Sequence, residues 1–356
     1  MKKTACAADI HVGNHAVHGG PTEAGLNRRC RLVLDTLRRA VVRADSLGCE
    51  RFVVAGDLFD TVRPTPQMVS ATIEALLVAQ RRSSSMEIVA LLGNHDQVST
   101  ADGDNAIAVL RHAGIQVIES LEVCDEICYI PFQPGDARVW VPEALKAAKG
   151  CKVVISHVGI SDDKTPAFLI DAKDALPLSL VLSSLPEGVR AFAAGNWHGN
   201  RNWRETNPSR MVVQIGALCP ADYGDDQVAT GSLLLLCDRG VESMDRIPGP
   251  RFYSRGYDPE GAVLPRAASQ WSHVRVTCAP ADMAAARQQL QELQAADPRL
   301  IDFDVRPDAS AKEAVREASK RAAAVVGLEP ALQGYLGRLP LPPAWVAYEG
   351  ADELIK

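Results

Sequence analysis

The chain has 356 residues, of which 47% are hydrophobic and 23% are charged, and its formal net charge is −6. This composition excludes a disordered chain or a fibrous repeat, and the acidic balance argues against nucleic-acid binding through bulk positive charge. No apolar run approaches the roughly 20 residues of a membrane helix, and the N-terminus lacks the apolar core of a signal peptide. With nine cysteines and no Cys-x-x-Cys pair, we expect a cytoplasmic protein with reduced thiols and no membrane association.

Short apolar segments alternate with helix-period segments through the first hundred residues. Strands are predicted near residues 4–8, 51–55 and 87–92, with helices over about 26–44 and 67–82 between them. This alternation is typical of an α/β layered domain.

Six further strands are predicted in the next 150 residues, and the last few are joined by short loops with little helix between them. Because crossover helices are missing there, we expect mixed sheets that pack on each other and carry helices outside. The predicted strands lie near 115–119, 127–132, 151–157, 189–194, 211–216 and 231–237.

The chain divides into three predicted parts, residues 1–248, 249–308 and 309–356. Prolines and glycines cluster over 247–265 and indicate a linker at the first boundary. The second part has a strand–helix–strand pattern that is typical of a small appended domain. The third part is predicted to be a helical tail, and its apolar residues either close over the protein's own core or dock on a partner. The elements predicted for the second part are a strand at 273–278, a helix at 281–296 and a strand at 300–305.

Five short polar motifs stand where predicted strands end. Strand ends at one edge of a sheet converge in space, so we expect these side chains to form one site. Four of the eight histidines fall in the motifs, which concentrates metal-binding side chains there. The motifs are Asp9-Ile10-His11, Gly56-Asp57-Leu58-Phe59-Asp60, Gly93-Asn94-His95-Asp96, Ser156-His157 and Gly195-Asn196-Trp197-His198.

The side chains in these motifs predict the chemistry of the site. Carboxylate, imidazole and carboxamide ligands together suit Mn, Fe or Zn better than Ca, which prefers oxygen ligands. One carboxylate can bridge two cations, and Asp57 is the candidate. Two metals about 3.5–4 Å apart can bind a phosphate, activate a water and stabilise the leaving oxygen. Each motif alone could be an ordinary turn, so the prediction of phosphoester hydrolysis rests on the whole ordered set.

This ordered set resembles the calcineurin-like metallophosphoesterase superfamily, and over residues 4–250 it is similar to the SbcD-type DNA repair nucleases and their phage versions. The resemblance implies a layered sandwich of two mixed sheets flanked by helices, a small α/β capping domain over 249–308 and a helical C-terminal tail. It also implies two divalent metal ions, with Mn most favoured and Mg, Fe or Zn as alternatives. The implied assembly is a homodimer on an SbcC-like SMC-family ATPase.

The resemblance assigns metal binding to seven residues. Asp57 would bridge the two metals. The family usually has Gly-His-x-His in the last motif, and Asn196 takes the place of the first His. An amide oxygen is a weaker donor than an imidazole, so we expect weak binding of the second metal or completion of its shell by substrate phosphate. The implied ligands are Asp9, His11, Asp57 and His198 for the first metal and Asn94, His157 and Asn196 for the second.

Two further residues receive catalytic roles from the resemblance. His95 would lie near the scissile phosphate, where it stabilises the transition state or protonates the leaving oxygen. Asp96 would orient His95 through a hydrogen bond. For Asp60, support of the site or a helix cap is expected rather than metal binding.

Basic and aromatic side chains near the motifs indicate a contact with DNA. His15 and His18 follow the first motif, and Arg201 and Arg204 follow the last with Trp203 between them. Arginines beside aromatic rings suit a phosphate backbone. The alternative for these residues is an ordinary solvated loop.

We therefore predict a metal-dependent DNA nuclease of SbcD type that acts in DNA repair or recombination. Its preference for exonuclease or endonuclease cleavage is left open by the motifs. One alternative is a phosphodiesterase or phosphatase for a small molecule such as a cyclic nucleotide. The other is a DNA-binding scaffold subunit whose second metal site is impaired by Asn196.

Overall fold

The computed structural model describes residues 1–82, 84–97, 105–206, 209–227, 230–258, 272–297 and 299–308. The predicted helical tail at 309–356, with its docking role, and the second half of the predicted linker lie outside the described residues. No helix in the described ranges is long and apolar enough to cross a membrane.

Strands and helices alternate in the first half of the chain, as the apolar pattern predicts. The helices are α1 (Arg28–Ser46), α2 (Pro66–Leu76), α3 (Ala137–Leu145), α4 (Ala167–Ile170), α5 (Leu178–Ser184) and α6 (Met283–Ala296). The strands are β1 (Thr4–Ala7), β2 (Thr22–Glu23), β3 (Leu26–Asn27), β4 (Arg51–Ala55), β5 (Glu87–Leu91), β6 (Gln116–Ile118), β7 (Glu122–Cys124), β8 (Ile127–Ile130), β9 (Val153–His157), β10 (Gly159–Ser161), β11 (Ala175–Pro177), β12 (Ala191–Gly195), β13 (Arg201–Thr206), β14 (Ser209–Gln214), β15 (Ser232–Cys237), β16 (Gly240–Arg246), β17 (Arg251–Gly256), β18 (Ser272–Cys278) and β19 (Leu300–Pro307).

Two six-stranded sheets form the main body. The first has the order β16-β15-β1-β4-β5-β6, in which β1, β4, β5 and β6 are parallel and β15 and β16 are antiparallel additions. The second has the order β13-β14-β12-β9-β8-β7, with four parallel central strands and an antiparallel strand at each edge. Both sheets are mixed, and the loops that follow their parallel strands lie at one edge of the sandwich.

Alternate residues of the central strands are buried on opposite faces. Cys6 and Val53 belong to the core between the two sheets, whereas Ala5 and Phe52 face α1 and α2 on the outside of the first sheet. A third core packs α3 and α5 against the second sheet. Burial of both faces is why these strands are mostly apolar in sequence. The predicted sandwich of two mixed sheets flanked by helices is confirmed.

The second part of the chain forms a small α/β unit with a core of its own. Its three parallel strands have the order β17-β18-β19, and α6 packs on them through Ala286 and Leu290. β17 lies inside the stretch 247–265 that the sequence predicts as a linker. The neighbouring Pro-Gly-Pro hides this strand in the sequence, but Phe252 is only 2% exposed and anchors it.

β13 is another strand that the apolar pattern does not predict. It is a polar edge strand and pairs along its whole length with β14. Its residues Arg201 and Trp203 both bind Asp162, at 3.0 Å and 2.9 Å. Arg204, on the other face, is exposed. The predicted loop after the last motif is therefore ordered by pairing and by a carboxylate.

Candidate metal centre

The five motifs meet at the carboxyl ends of parallel strands from both sheets. Asp9 follows β1, Asp57 follows β4, Asn94 follows β5, His157 ends β9 and Asn196 follows β12. Hydrogen bonds between loop backbones bring the first two together, with the Ile10 amide donating to the Asp57 carbonyl at 2.9 Å. The structure thus brings together side chains that are far apart in the 4–250 stretch, such as Asp9 and His198.

Several of these residues have a backbone conformation that side-chain-bearing residues rarely adopt. The φ angles are 51° at Asp9, 52° at His11, 51° at Asp57 and 87° at Asn196. Such left-handed conformations cost free energy and concentrate at functional sites. The loops are therefore held in strained shapes that aim these side chains at a common point.

Glycine precedes three of the candidate ligands, Asp57, Asn94 and Asn196, because the site leaves no room for a side chain. A Cβ at Gly56 would overlap the ring of His157, and a Cβ at Gly93 would overlap the carboxylate of Asp57. The Gly-Asp and Gly-Asn pairs are thus explained by close approach of the backbone to neighbouring ligands.

Three groups of side chains at this edge have the donor set of a metal site. His11, Asp60 and His95 form a group on the open side, and the two remaining groups are more buried. Asp9, His11 and His198 form one, and Asp9, Asp57 and His157 form the other, each with its ligand atoms within 4.8 Å of one another. Asp9 and Asp57 are 0% and 1% exposed. Buried carboxylates need a compensating cation or strong donors, so the donor set fits two divalent ions.

The imidazole of His157 provides a direct test of that fit. Its Nδ1 lies 2.8 Å from the Ala55 carbonyl, which can only accept, so Nδ1 carries the proton. In the neutral ring Nε2 then presents a lone pair, yet it faces Asn94 Oδ1 at 2.9 Å and Asp57 Oδ2 at 3.3 Å. Three acceptors converge, and a second proton or a cation must lie among them.

His198 and His11 also place ring nitrogens close together, at the opposite side of the centre from His157. The Nδ1 of His198 is bound to Asp225 Oδ2 at 2.8 Å, so its Nε2 is free to act as a ligand. This Nε2 lies 3.3 Å from Nε2 of His11. Two nitrogen ligands on one tetrahedral metal are separated by roughly 3.3 Å when each bond is about 2.0 Å. The spacing fits a shared ion.

Without a metal, protonated imidazoles balance the negative charge of the buried carboxylates. Burial alone would lower the pKa of His157, but the Asp57 carboxylate raises it to about 9. Burial is likewise overcome at His198, where Asp225 and Asp9 raise the pKa to about 9. The same contacts hold the pKa of Asp57 below its usual range despite burial. The imidazoles therefore carry protons where the ions would bind.

Asp96 does not take the role that the sequence analysis assigns to it. Its fully buried carboxylate accepts backbone N–H bonds from Phe59 at 2.9 Å and Gly93 at 3.1 Å, with a longer one from Leu58. It fastens two ligand-bearing loops to each other. The predicted hydrogen bond from Asp96 to His95 is therefore wrong, and Asp96 instead positions the two loops.

His95 lies on the open side of the centre. Its side chain is exposed, its ring meets the ring of His11 edge-on at 4.8 Å, and its Nδ1 is 3.5 Å from the Asp60 carbonyl. The Asp60 carboxylate lies 3.4 Å from His11 Nδ1 and 3.3 Å from His15 Nδ1. Asp60 thus supports the neighbouring imidazoles.

Asn196 is bound in a way that the sequence does not reveal. Its backbone N–H donates to the Asp9 carboxylate at 2.9 Å, and its side-chain NH₂ donates to Asp174 Oδ2 at 2.8 Å. The amide oxygen is the only side-chain atom left for a metal. Neither Asp174 nor Asp225 follows a predicted strand, so no motif marks them.

The residues predicted to contact DNA are tied to protein partners. His15 Nε2 lies 3.2 Å from the His11 carbonyl, and His18 Nδ1 lies 2.8 Å from Asp302. Burial lowers the pKa of His15 to about 4, so it stays neutral. Trp197 packs on Gly159, where a Cβ would overlap the indole. These contacts leave Arg204 as the exposed member of the predicted set.

Two cavities flank the centre. The first, of about 480 Å³, is lined on one side by His15 and Asp60 and on the other by Arg275 and Arg306 of the small unit. It also holds Arg29, which is 4% exposed and donates to the Ala221 carbonyl. The second cavity, of about 400 Å³, is lined by seven residues, Asn94, Gln97, Phe132, Pro134, Gly135, Lys173 and Asp174.

No protein-family model matches the chain. Over 113 residues, or 32% of this chain, it is 29% identical to the DNA double-strand break repair protein Mre11 of Methanopyrus kandleri. The match spans 23% of that relative, well under two thirds of its length. This similarity supports the resemblance to the metallophosphoesterase superfamily.

Solved structures with overall similarity have low sequence identity. A dimetal phosphatase from Danio rerio is 13% identical with a TM-score of 0.37, over 67% of this chain and 96% of that one. The phosphopantetheinyl hydrolase of Mycobacterium tuberculosis is 10% identical with a TM-score of 0.32, over 60% and 89%. The Pseudomonas putida nuclease MPE is 13% identical with a TM-score of 0.28, over 67% and 86%. At these TM-scores no substrate or mechanism follows from them.

Proposed function

We propose that the chain is a metal-dependent phosphodiesterase that cleaves DNA, as an SbcD-type nuclease subunit with two metal ions. The observation that carries the proposal is the convergence of metal-ligand atoms on two points, around His157 Nε2 and between His11 and His198. The partial similarity to a DNA repair protein supports the choice of DNA.

The proposed ligands are Asp9, His11, Asp57 and His198 for one ion and Asp57, Asn94, His157 and Asn196 for the other. The bound ions would supply positive charge that polarises a phosphate and activates a water. The chain's own residues orient this machinery, because Asp225 and the Ala55 carbonyl fix the tautomers of two imidazoles. Mn is the favoured ion by resemblance.

His95 is proposed to act on the substrate side. Its exposed ring borders His11 and is free to turn toward a phosphate above the centre. In its protonated form it can stabilise negative charge on the phosphate oxygens or donate a proton to the leaving oxygen.

The cavities favour a polymer over a small phosphodiester. One cavity extends from His15 and Asp60, and the other extends from Asn94 and Lys173, so space continues on both sides of the centre. A DNA strand needs such space on both sides of the cleaved bond. Phe132 and Lys173 offer a ring for a base and a cation for a phosphate in the second cavity.

The test is cleavage of linear double-stranded and single-stranded DNA with Mn, Mg or Zn, with EDTA as the metal-free control. We expect metal-dependent cleavage that His95→Ala removes. The matched variant His112→Ala, at an exposed position in the short 3-10 helix Ala108–Ala113, is expected to cleave as the wild type does. Cleavage that persists in His95→Ala would contradict the role of His95.

The alternatives are decided by the same assay. Hydrolysis of a small chromogenic phosphodiester without DNA cleavage would favour a small-molecule phosphodiesterase or phosphatase. An inert wild type that becomes a nuclease through Asn196→His would favour the scaffold function.

The assembly is proposed from the resemblance. We propose a cytoplasmic homodimer whose residues 309–356 dock on an SbcC-like SMC-family ATPase. Co-purification of the full chain with such an ATPase, compared with a chain that ends at residue 308, tests this docking.

A further inference from the structure

A separate group of potential metal-binding side chains lies apart from the centre, where the small α/β unit meets the main body. His18 comes from the loop after β1, His273 from β18 and Asp302 from β19. One ligand atom of each lies within 4.8 Å of the others. None of the three belongs to the proposed two-metal centre.

His273 is the reason to expect a ligand here. Its side chain is 0% exposed, and neither ring nitrogen has a hydrogen-bond partner among the described residues. Its ring is stacked on Phe252 with centroids 4.3 Å apart. A buried imidazole with two unmet nitrogens is costly, because both polar atoms have lost water without replacement. The two nitrogens without partners indicate that a bound ion or ligand contacts His273.

The other two side chains already have a spacing that suits a metal. His18 Nδ1 lies 2.8 Å from Asp302 Oδ2. Ligand atoms on a tetrahedral zinc are separated by roughly 3.3 Å, so this pair needs to open by only about half an ångström. His18 and Asp302 are 12% and 34% exposed, which leaves an entry path for an ion.

A further buried polar atom adjoins the group. The hydroxyl of Tyr223 also lacks a partner within the described ranges, and the Tyr223 ring meets His18 edge-on at 5.0 Å. Neither ring nitrogen of His273 is tied to a partner in the described part of the chain, so one nitrogen of the neutral ring keeps an unused lone pair. Neutral imidazole is the form that binds metal.

We propose that His18, His273 and Asp302 bind a divalent transition-metal ion of the zinc class. Two imidazoles and one carboxylate are a donor set that zinc accepts, with water at the fourth position. Since His18 belongs to the main body and the other two to the small unit, the ion fastens the small unit beside the 480 Å³ cavity.

Zinc content per chain tests the site. Wild type, Asp302→Asn and His18→Gln are dialysed to equilibrium against micromolar zinc and measured by elemental analysis, with His112→Ala as the matched histidine control. We expect Asp302→Asn and His18→Gln each to bind one equivalent less than wild type and His112→Ala to bind the same. Equal zinc in all four proteins would overturn the proposal.

Folding and location are checked separately. Asp302→Asn keeps the size of a half-buried side chain, and its circular dichroism spectrum should match that of wild type. A crystal of the wild type grown with zinc should show anomalous scattering between His18, His273 and Asp302. Water at that position in a zinc-containing crystal would overturn the site.

Discussion

The two halves of the proposed metal centre are built differently. On the side of His11 and His198 each outer ring nitrogen has a carboxylate beside it. Asp225 lies 2.8 Å from His198 Nδ1, and Asp60 lies 3.4 Å from His11 Nδ1. The hydrogen bond between His198 and Asp225 fixes the His198 ring and raises its strength as a ligand, whereas Asp60 lies near His11 Nδ1 without forming a hydrogen bond.

The other half lacks this support. The outer nitrogen of His157 donates to the backbone carbonyl of Ala55, and the amide of Asn196 is bound to Asp174. A neutral carbonyl and an amide oxygen give weaker ligation than a carboxylate-supported imidazole. The difference indicates two ions of unequal affinity, the tighter one between His11 and His198. The expected effects below run from largest to smallest.

Replacing Asp57 should weaken metal binding in both halves of the centre. Asp57→Asn keeps the shape but loses the carboxylate shared by both halves, so cleavage should fall on the order of 1,000-fold or more. Isothermal titration with Mn should show that both binding events weaken. Asp35→Asn, on the exposed face of α1, is the matched control. Loss of one binding event alone would contradict a shared Asp57.

The metal-free protein should lose stability as pH rises. His157 and His198 have folded pKa values near 9 against a usual 6.5, so their contribution is complete below pH 6.5 and disappears as pH passes 9. The loss is roughly 3 kcal/mol for His157. Thermal unfolding in EDTA from pH 6 to 9.5 measures it. With saturating Mn the imidazoles are neutral ligands, so the decline should vanish; an equal decline with Mn would contradict their role.

Asp225 should matter for one half only. Asp225→Asn keeps a hydrogen-bond acceptor but removes the negative charge beside His198 Nδ1. The tighter ion should therefore bind roughly 10–100-fold more weakly. The weaker ion should be unaffected, because His157 has no contact with Asp225. Titration with Mn resolves the two events. A matched decrease in both would mean that the halves are not separate.

The parts of the fold that sequence predicts are those with both faces buried. β1, β4 and β5 are apolar after their first residue, and each is followed by a polar motif, so their positions and their convergence follow from the pattern alone. β13 has almost no apolar signal, because an edge strand is ordered by pairing with its neighbour. β17 is hidden by adjacent prolines that the sequence reads as a linker.

The site divides in the same way. Residues at strand ends, such as Asp57 and His157, are predicted because their neighbours in sequence place them. Asp174 and Asp225 act through contacts with residues 22 and 27 positions away, and they lie in loops without a motif. Asp96 shows the opposite error, since a carboxylate beside a catalytic histidine in sequence is turned inward to three backbone donors.

Restoring an imidazole at position 196 should make the halves more alike. Asn196→His replaces an amide oxygen by a stronger donor, so the weaker ion should bind about tenfold more tightly. The backbone φ of 87° suits Asn better than His, and the bond to Asp174 is lost, so thermal stability without metal should decrease slightly. Asp174→Asn alone separates these effects, because it weakens the bond without adding a ligand. Tighter binding in Asp174→Asn as well would mean that Asp174 restrains Asn196 away from the ion, and unchanged binding in Asn196→His would show that position 196 does not contact the metal.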